Sequence, residues 1–228
     1  LNQSAGFDIA IENPAGLFAW VLKDSLKSSG ISVHGKVLQQ NNSDSTLRPL
    51  LIFKTPIGDV LKRCNKNSLG LAAECLIKTI SAENKPTRNN GEWNHGLQLV
   101  ERYLSSLNIK NDAIVLDDGS GLSKNNRLTT KSLAAVLRDM YNGEYSDVFM
   151  ASLAVGGQDG TIKKYFHDAP YNSNIIGKTG YISGVRSFSG ICKTSRGDII
   201  FSILTENGNG STRKCINDLT KAIFDGKL

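Results

Sequence analysis

The chain has 228 residues, and its 27 lysines and arginines against 21 acidic residues give a formal charge of +6. Apolar residues make up 39% and charged residues 21%, which is typical of a folded chain and excludes an intrinsically disordered one. Four cysteines exclude a disulfide-dense scaffold, and three histidines far apart in sequence disfavour a zinc site built from histidine. At roughly 150 residues for a domain, this length fits one large domain or two small ones.

The N-terminal quarter of the chain alternates between strand-like and helical patterns. Residues 5–12 and 31–38 alternate apolar and polar positions and predict two short strands. Between them, the Asn13-Pro14 pair predicts the start of a helix and Gly30 predicts its stop. The polar, unpatterned stretch 39–48 predicts an exposed loop.

Helical spacing dominates the middle of the chain. Four helices are predicted there, namely Pro56 to Cys64, about 71–80, about 92–107 and about 129–142. Residues 113–116 predict a short strand, which leads into a turn rich in aspartate, glycine and serine. No apolar run approaches the roughly 20 residues that a transmembrane helix needs.

The C-terminal third has a different pattern. Residues 175–181, 186–193 and 198–206 predict three strands with short connections, as in an antiparallel meander, and a last amphipathic helix is predicted at about 212–225. Helices in the middle and antiparallel strands towards the end predict the α+β class, with one sheet covered by helices.

Four polar segments could carry chemistry. Lys178-Thr179-Gly180 lies on a predicted strand and matches the K-T-G signature of penicillin-binding enzymes, but three residues recur by chance. Ser68 lies at a break between two predicted helices, where its hydroxyl could project into a cleft or could simply cap the second helix. Residues 117–123 and 154–161 are polar turns, for which a purely structural role stays open.

The order of these segments carries a family resemblance. The stretches LKRCNKNSLGLAAECLIKTI, VLDDGSGLSKNNRLT, SLAVGGQDGTIKK and GKTGYISGVRSFSGICKT follow one another along the chain. In this order the chain resembles the low-molecular-mass class C penicillin-binding proteins, the D-alanyl-D-alanine carboxypeptidase/endopeptidase family of penicillin-binding protein 4 type. The resemblance covers nearly all residues and implies a β-lactamase/transpeptidase-like fold without a cofactor.

The resemblance also implies roles for individual residues. Lys178 would stabilise the carboxylate of a D-Ala-D-Ala stem peptide and polarise Ser68, which matches the second serine of the family and would relay protons. Thr179 would hydrogen-bond the same carboxylate, and Gly180 would let the substrate backbone approach closely. The backbone N–H of Tyr181 would donate to the oxyanion.

The chain departs from the family pattern at three points that bear on these implied roles. Gly70 stands where the S-x-N motif has asparagine, and Tyr181 stands where a small hydroxyl residue is usual. The nucleophile motif S-x-x-K should lie upstream of Ser68, whereas the chain's one match, Ser211 to Lys214, lies after the K-T-G strand. We therefore expect residues 1–228 to be the C-terminal part of one transpeptidase-like domain whose N-terminal nucleophile segment is absent.

The leading hypothesis is a serine-type D-Ala-D-Ala carboxypeptidase/endopeptidase that cleaves peptidoglycan stem peptides through an acyl-enzyme. Its partners would be the stem peptide and acylating β-lactams, and its location periplasmic or otherwise extracytoplasmic. Gly70 and Tyr181 keep open an inactive relative that binds peptidoglycan or a protein. Nucleic-acid binding would rest on net charge alone, so no nucleic-acid partner is expected. The four cysteines are interpreted as buried small residues, although a pair could oxidise outside the cytoplasm.

Overall fold

The structure is a computed structural model that describes residues 10–39, 48, 51–84, 90–109 and 114–227. The chain divides into two compact units, Leu1–Phe53 and Lys54–Leu228. Within the described residues, no helix combines the length and the apolarity needed to cross a membrane.

Among its described residues, the first unit contains one helix, α1, at Pro14–Ser28. Its predicted start is confirmed, because the Asn13 side chain accepts a hydrogen bond from the Gly16 N–H at 2.8 Å. The predicted stop is also confirmed, since Gly30 follows the helix with φ +81°, a left-handed conformation that glycine adopts without strain.

The other predictions in the first unit are either wrong or lie mostly outside the described residues. The strand predicted at 31–38 is wrong, because no described strand pairs with this segment and alternation alone does not make a sheet. The strand predicted at 5–12 lies mostly outside the described residues, and residues 10–12 are not in a strand. The loop predicted at 39–48 also lies almost wholly outside the described residues.

The second unit contains the remaining α-helices of the described chain. They are α2 (Ile57–Lys66), α3 (Gly70–Glu83), α4 (Trp93–Ser106), α5 (Thr130–Asn142), α6 (Ser146–Ser152) and α7 (Thr212–Asp225). Five of the six lie within a few residues of their predicted ranges, because each has an apolar face at helical spacing. The short helix α6 was not predicted, since seven residues give too little periodicity.

One antiparallel sheet holds the second unit together. Its strands are β1 (Ala154–Val155), β2 (Ile175–Ile182), β3 (Val185–Thr194) and β4 (Gly197–Thr205), in the order β1-β2-β3-β4. The three long strands confirm the predicted meander. The strand β1 was interpreted as part of a polar turn, and the segment predicted as a strand at 113–116 forms only an isolated bridge between Val115 and Arg127.

Both faces of the sheet are buried. On one face, buried residues of the strands, the segment before β2 and α7 form a cluster of Ala154, Ile162, Phe166, Ile175, Phe188, Cys192, Phe201, Ile203, Ile216 and Phe224. On the other face, Ile176 and Ile191 pack with Leu137 of α5 and Leu153. Because side chains alternate along a strand, neighbouring Ile175 and Ile176 enter opposite layers. This three-layer arrangement confirms the α+β class with a sheet covered by helices.

The interpretation of all four cysteines as buried residues is only partly correct. Cys192 is buried in the core, but Cys75 and Cys215 are exposed and Cys64 is half-buried, and all four are free thiols.

Candidate functional site

The structure brings Ser68 and Lys178 together from positions 110 residues apart. The Lys178 ammonium donates a hydrogen bond to the Ser68 hydroxyl at 2.5 Å and another to the Thr179 carbonyl at 2.6 Å. Ser68 lies in the connection between α2 and α3, and Lys178 lies on β2. A lysine that holds a serine hydroxyl in this way can exchange a proton with it.

The backbone of Ser68 is held in an unusual conformation. Its φ is +54°, in the left-handed region that residues other than glycine, asparagine and aspartate rarely enter. The helix α3 is capped by Leu69 rather than by Ser68, so the alternative that Ser68 serves as the N-cap is wrong. Its hydroxyl is therefore free to face Lys178, and backbone strain of this kind clusters at functional sites.

The strand β2 presents an open edge beside Ser68. Its pairing with β1 covers Ile176 and Gly177, and no described strand pairs with the same edge beyond them. The Gly156 N–H donates to the Ile175 carbonyl across that edge, so the alternation of antiparallel bonds turns the N–H groups of Thr179 and Tyr181 to it as well. A substrate in extended conformation could therefore bind along β2.

The remaining residues of the K-T-G segment have partners within the protein. Thr179 is buried, and its hydroxyl donates to the Thr161 hydroxyl at 2.8 Å. A Cβ at position 180 would lie 2.3 Å from the Ser187 hydroxyl on β3, so Gly180 also serves the packing of the two strands. The predicted role of Thr179 towards a carboxylate requires its hydroxyl to leave Thr161.

A cleft of about 440 Å³ opens over this edge of the sheet. Its lining combines residues of the helical side, the strand side and the last helix, namely Ser68, Thr161, Tyr165, Thr179, Tyr181, Arg186 and Arg213. Tyr181 is 64% exposed, and the Arg186 guanidinium lies 4.2 Å from its ring centroid. The cleft therefore brings the predicted Ser68, Thr179 and Tyr181 together with two arginines.

Electrostatics distinguish Lys178 from an ordinary surface lysine. Burial lowers the pKa of Lys178, and a charged Cys64 nearby would oppose this shift. Burial also raises the pKa of the Cys64 thiol by more than the charge of Lys178 lowers it, so the thiol stays neutral at pH 7. Among the described residues no carboxylate forms a salt bridge with Lys178. Its ammonium therefore gives up a proton more readily than a solvated lysine.

The turn at 117–126 supports the helical side of the cleft. The Asp118 carboxylate accepts hydrogen bonds from the N–H groups of Gly121, Leu122 and Ser123 and from the side chains of Ser120 and Asn126. These contacts favour a structural role for the turn, since the hydrogen bonds of its central carboxylate are all made within the turn.

A second carboxylate fastens the same turn to α3. Glu74 accepts from the N–H groups of Gly119 and Ser120, at 3.2 and 2.9 Å. The contact is close, because a Cβ at position 70 would lie only 3.1 Å from Cβ of Ser120. Gly70 thus leaves room for the turn next to Ser68.

The end of α2 is anchored before it reaches Ser68. Lys66 forms a salt bridge with Asp159, and Asn65 donates to the Ser152 hydroxyl at 2.8 Å. These contacts tie α2 to α6 and to the turn that follows β1. The segment 154–161, interpreted as a polar turn, therefore positions Ser68 through Asp159 and lines the cleft through Thr161.

The S-x-x-K match at the start of α7 does not form a nucleophile and base pair. The Ser211 hydroxyl donates to the Asn209 side chain at 2.7 Å, while the Lys214 ammonium donates to Asp218 at 2.6 Å. Ser211 occupies the N-cap position of α7, as interpreted, but its side chain makes no capping hydrogen bond.

Several cleft residues were not predicted from the sequence. Tyr165, Arg186 and Arg213 come from three different segments whose local patterns do not single them out, whereas Thr161 ends the polar segment 154–161 but was not named as a site residue. One signal was available for Arg213: it lies in the first turn of a predicted helix, where a cation opposes the helix dipole.

Comparisons with known proteins show which proteins this chain is similar to. Residues 2–223 match the model of the D-Ala-D-Ala carboxypeptidase 3 (S13) family. A D-alanyl-D-alanine carboxypeptidase of an Actinomadura species is 30% identical over 216 residues, which cover 91% of this chain and 40% of that protein. The chain thus spans about two fifths of the length of this curated relative.

Solved structures of similar fold include penicillin binding protein 4 (dacB) from Haemophilus influenzae in complex with a β-lactam. It is 25% identical with a TM-score of 0.70, and the match covers 89% of this chain and 48% of that one. A β-lactamase from Sphaerobacter thermophilus, 18% identical with a TM-score of 0.57 over 76% of this chain and 64% of its own, shares the fold. These similarities confirm the β-lactamase/transpeptidase-like fold that the family resemblance implied.

Proposed function

The chain belongs to the D-Ala-D-Ala carboxypeptidase 3 (S13) family, and from that premise we propose that it is part of a serine-type D-Ala-D-Ala carboxypeptidase/endopeptidase. The enzyme would cleave peptidoglycan stem peptides through an acyl-enzyme and would be acylated by β-lactams. The observation that carries this proposal is the hydrogen bond between Lys178 and Ser68 at the open edge of β2.

Each residue of the site has a task in this reaction. Departure of the terminal D-Ala requires a proton on its amine, which Ser68 would give while receiving one from Lys178. The lowered pKa of Lys178 favours this transfer. The N–H of Tyr181, turned to the open edge, would donate to the oxyanion, and an extended stem peptide would lie along β2.

The attacking serine belongs, in our proposal, to a segment outside residues 1–228. Ser211 and Lys214 are each bonded to other partners, which supports their exclusion as nucleophile and base. The share of the curated relative that this chain spans, 40%, leaves room for such a segment. We therefore propose that the chain is the C-terminal part of a transpeptidase-like domain, and that the whole enzyme is extracytoplasmic, where its substrate lies.

A fluorescent penicillin tests the proposal on the protein expressed from its complete reading frame. We expect stable covalent labelling, and loss of about a hundredfold or more in the labelling rate for Lys178→Ala, because the proton relay then lacks its donor. Lys193→Ala is the matched control, since Lys193 is an exposed lysine of β3 outside the cleft. Mass spectrometry of the labelled peptide should place the adduct on a serine of an upstream S-x-x-K; an adduct on Ser68 or Ser211 would contradict the mechanism.

One observation favours a second function. Gly70 removes the amide that the S-x-N motif offers, and the 3.1 Å approach of Ser120 restricts the space for a side chain there. The alternative is an inactive relative that binds peptidoglycan without cleaving it. Absence of labelling in a folded wild-type protein that still binds stem peptides would favour this alternative.

A further inference from the structure

Two arginines, Arg186 and Arg213, line the wall of the cleft. Arg213 is the second residue of α7, and Arg186, on β3, lies directly across from Tyr181 on β2. Each guanidinium lies over an aromatic ring: Arg186 lies 4.2 Å from the centroid of Tyr181 and Arg213 lies 5.9 Å from that of Tyr165. These contacts hold both cations at the cleft without neutralising them.

Neither arginine has an acidic partner in the described part of the chain, where no salt bridge involves Arg186 or Arg213. The Nη1 atom of Arg213 is buried and makes no hydrogen bond with any described residue. A buried donor without a partner is costly, because it has lost its water and gained nothing in exchange.

The surroundings of Arg213 increase this cost. The first turn of α7 contains no acidic residue, and the positive end of the helix dipole repels a cation there. Burial lowers the pKa of Arg213, Tyr165 opposes that shift, and the like charge of Arg186 adds to it. An anion in the cleft would accept a hydrogen bond from Arg213. Its negative charge would also offset the helix dipole and the like charge of Arg186.

The neighbouring residues narrow the choice of anion. The cleft also contains Ser68 and Thr179, so the anion lies close to the proposed proton relay. The hydroxyl of Thr179 is bonded to Thr161, so it is not turned to a ligand. A planar guanidinium donates two parallel hydrogen bonds to a carboxylate, which a hydroxyl or a single ammonium cannot do.

We propose that Arg213, assisted by Arg186, binds the carboxylate of the residue on the C-terminal side of the scissile bond. This inference rests on the proposed function, because the position of the carboxylate follows from a stem peptide lying along β2. Arg213 is then a specificity-determining residue: a peptide whose terminal carboxylate is amidated leaves the buried Nη1 atom of Arg213 without a partner. The proposal assigns to Arg213 a part of the role that Lys178 and Thr179 were together predicted to have.

The test measures binding rather than turnover, on the protein from its complete reading frame. The probes are an acylated L-Lys-D-Ala-D-Ala tripeptide and the same peptide with a C-terminal amide, each titrated by calorimetry. We expect the wild type to bind the acid at least about tenfold more tightly than the amide, since charge-assisted hydrogen bonds are worth that much or more. Arg213→Gln should abolish the preference, and Arg186→Gln should reduce it less.

The control is Lys214→Gln, which removes the same charge one residue further along α7. Lys214 is exposed and paired with Asp218, so this variant should keep the preference for the acid. Arg213→Lys keeps the charge without the planar fork and should lose most of the preference, which covers the case in which Arg213→Gln does not fold. The thermal unfolding midpoint monitors folding of every variant.

Three outcomes would overturn the proposal: equal binding of acid and amide by the wild type, no binding of the acid, or an unchanged preference in both Arg213 variants. Failure of the enzymatic proposal is distinguishable, because a protein that is not labelled by penicillin but prefers the acid through Arg213 retains this subsite. Such a result would support the binding relative rather than the carboxypeptidase.

Discussion

Two polar regions of the same unit, the turn at 117–126 and the cleft beside β2, differ in how far their polar groups are satisfied. In the turn, the Asp118 carboxylate accepts five hydrogen bonds from residues 120–126. In the cleft, Lys178 bonds only a hydroxyl and a carbonyl, and Arg213 keeps a buried nitrogen without a partner.

The difference separates scaffold from site. A network that is satisfied from within stabilises a single conformation and has nothing to offer to a ligand. Cations that are desolvated without a counter-ion destabilise the free protein, and that cost is recovered when an anionic substrate binds. The local sequence pattern left both a structural and a chemical role open for the turn and for the K-T-G strand, whereas the hydrogen-bond partners tell the two regions apart.

Removal of the turn's central carboxylate should give the largest effect on stability. We expect Asp118→Ala to lower the free energy of unfolding by about 2 to 3 kcal/mol, because three backbone N–H groups lose their acceptor. Asp117→Ala is the control in the same turn, since Asp117 is exposed and accepts only from the side chains of Ser123 and Asn125. It should cost less than about 1 kcal/mol in the same urea titration.

The pH dependence of this effect has a definite sign. Burial raises the pKa of Asp118, but hydrogen bonds from Asn126, Ser123, Ser120 and Gly121 lower it below its ordinary value. A depressed carboxylate pKa contributes stability that is present above the pKa of the unfolded chain, about 4, and is lost as the pH falls through the folded value. The stability difference between wild type and Asp118→Asn should therefore shrink below pH 4; a constant difference would contradict the role of the charge.

Much of this fold could be predicted from the sequence. The three long strands and α7 were placed within about one residue, because period-two alternation ends at tight turns and the α7 pattern ends at a glycine. The strand at 31–38 was wrong for a physical reason: alternation shows that a segment could be half-buried, but a strand exists only when another strand pairs with it.

The site was predictable only in part. Ser68 and Lys178 could be named because they fit a known order of motifs, and the structure places their side chains in contact. Arg186 and Arg213 could not, because their meaning depends on partners that they lack. The absence of a carboxylate within reach is a property of the three-dimensional arrangement and leaves no local pattern.

Replacement of Lys178 should change stability less than Asp118→Ala does, and should raise it rather than lower it. We expect Lys178→Met to raise the free energy of unfolding at pH 7 by about 1 kcal/mol, because it removes a desolvated charge and keeps the aliphatic chain. Loss of function with gain of stability is the signature of a residue selected for chemistry. Urea denaturation of both proteins measures the gain.

The gain should depend on pH in a way that identifies its cause. Burial lowers the pKa of Lys178, so near neutral pH the charged lysine is penalised in the folded state. Between the folded pKa and the unfolded value of about 10.4, the unfolded chain binds more protons, and wild-type stability rises with pH relative to the variant. The gap should close as the pH approaches 10. Lys214→Met, at an exposed and paired lysine, should give no gain at pH 7.

The smallest effect concerns the contact between the two regions at Gly70. Alanine there would strengthen the first turn of α3 by up to about 1 kcal/mol, but its Cβ would lie 3.1 Å from Cβ of Ser120, whose backbone is fixed by Glu74. We expect these terms to cancel, so that Gly70→Ala changes the free energy of unfolding by less than about 0.5 kcal/mol. In a Ser120→Gly background the contact is absent, and the same alanine should stabilise by up to about 1 kcal/mol. If Gly70→Ala changed the free energy of unfolding equally in both backgrounds, the turn would have to move at Ser120 to accommodate the new methyl group. The turn would then not restrict the position of the helical side of the cleft.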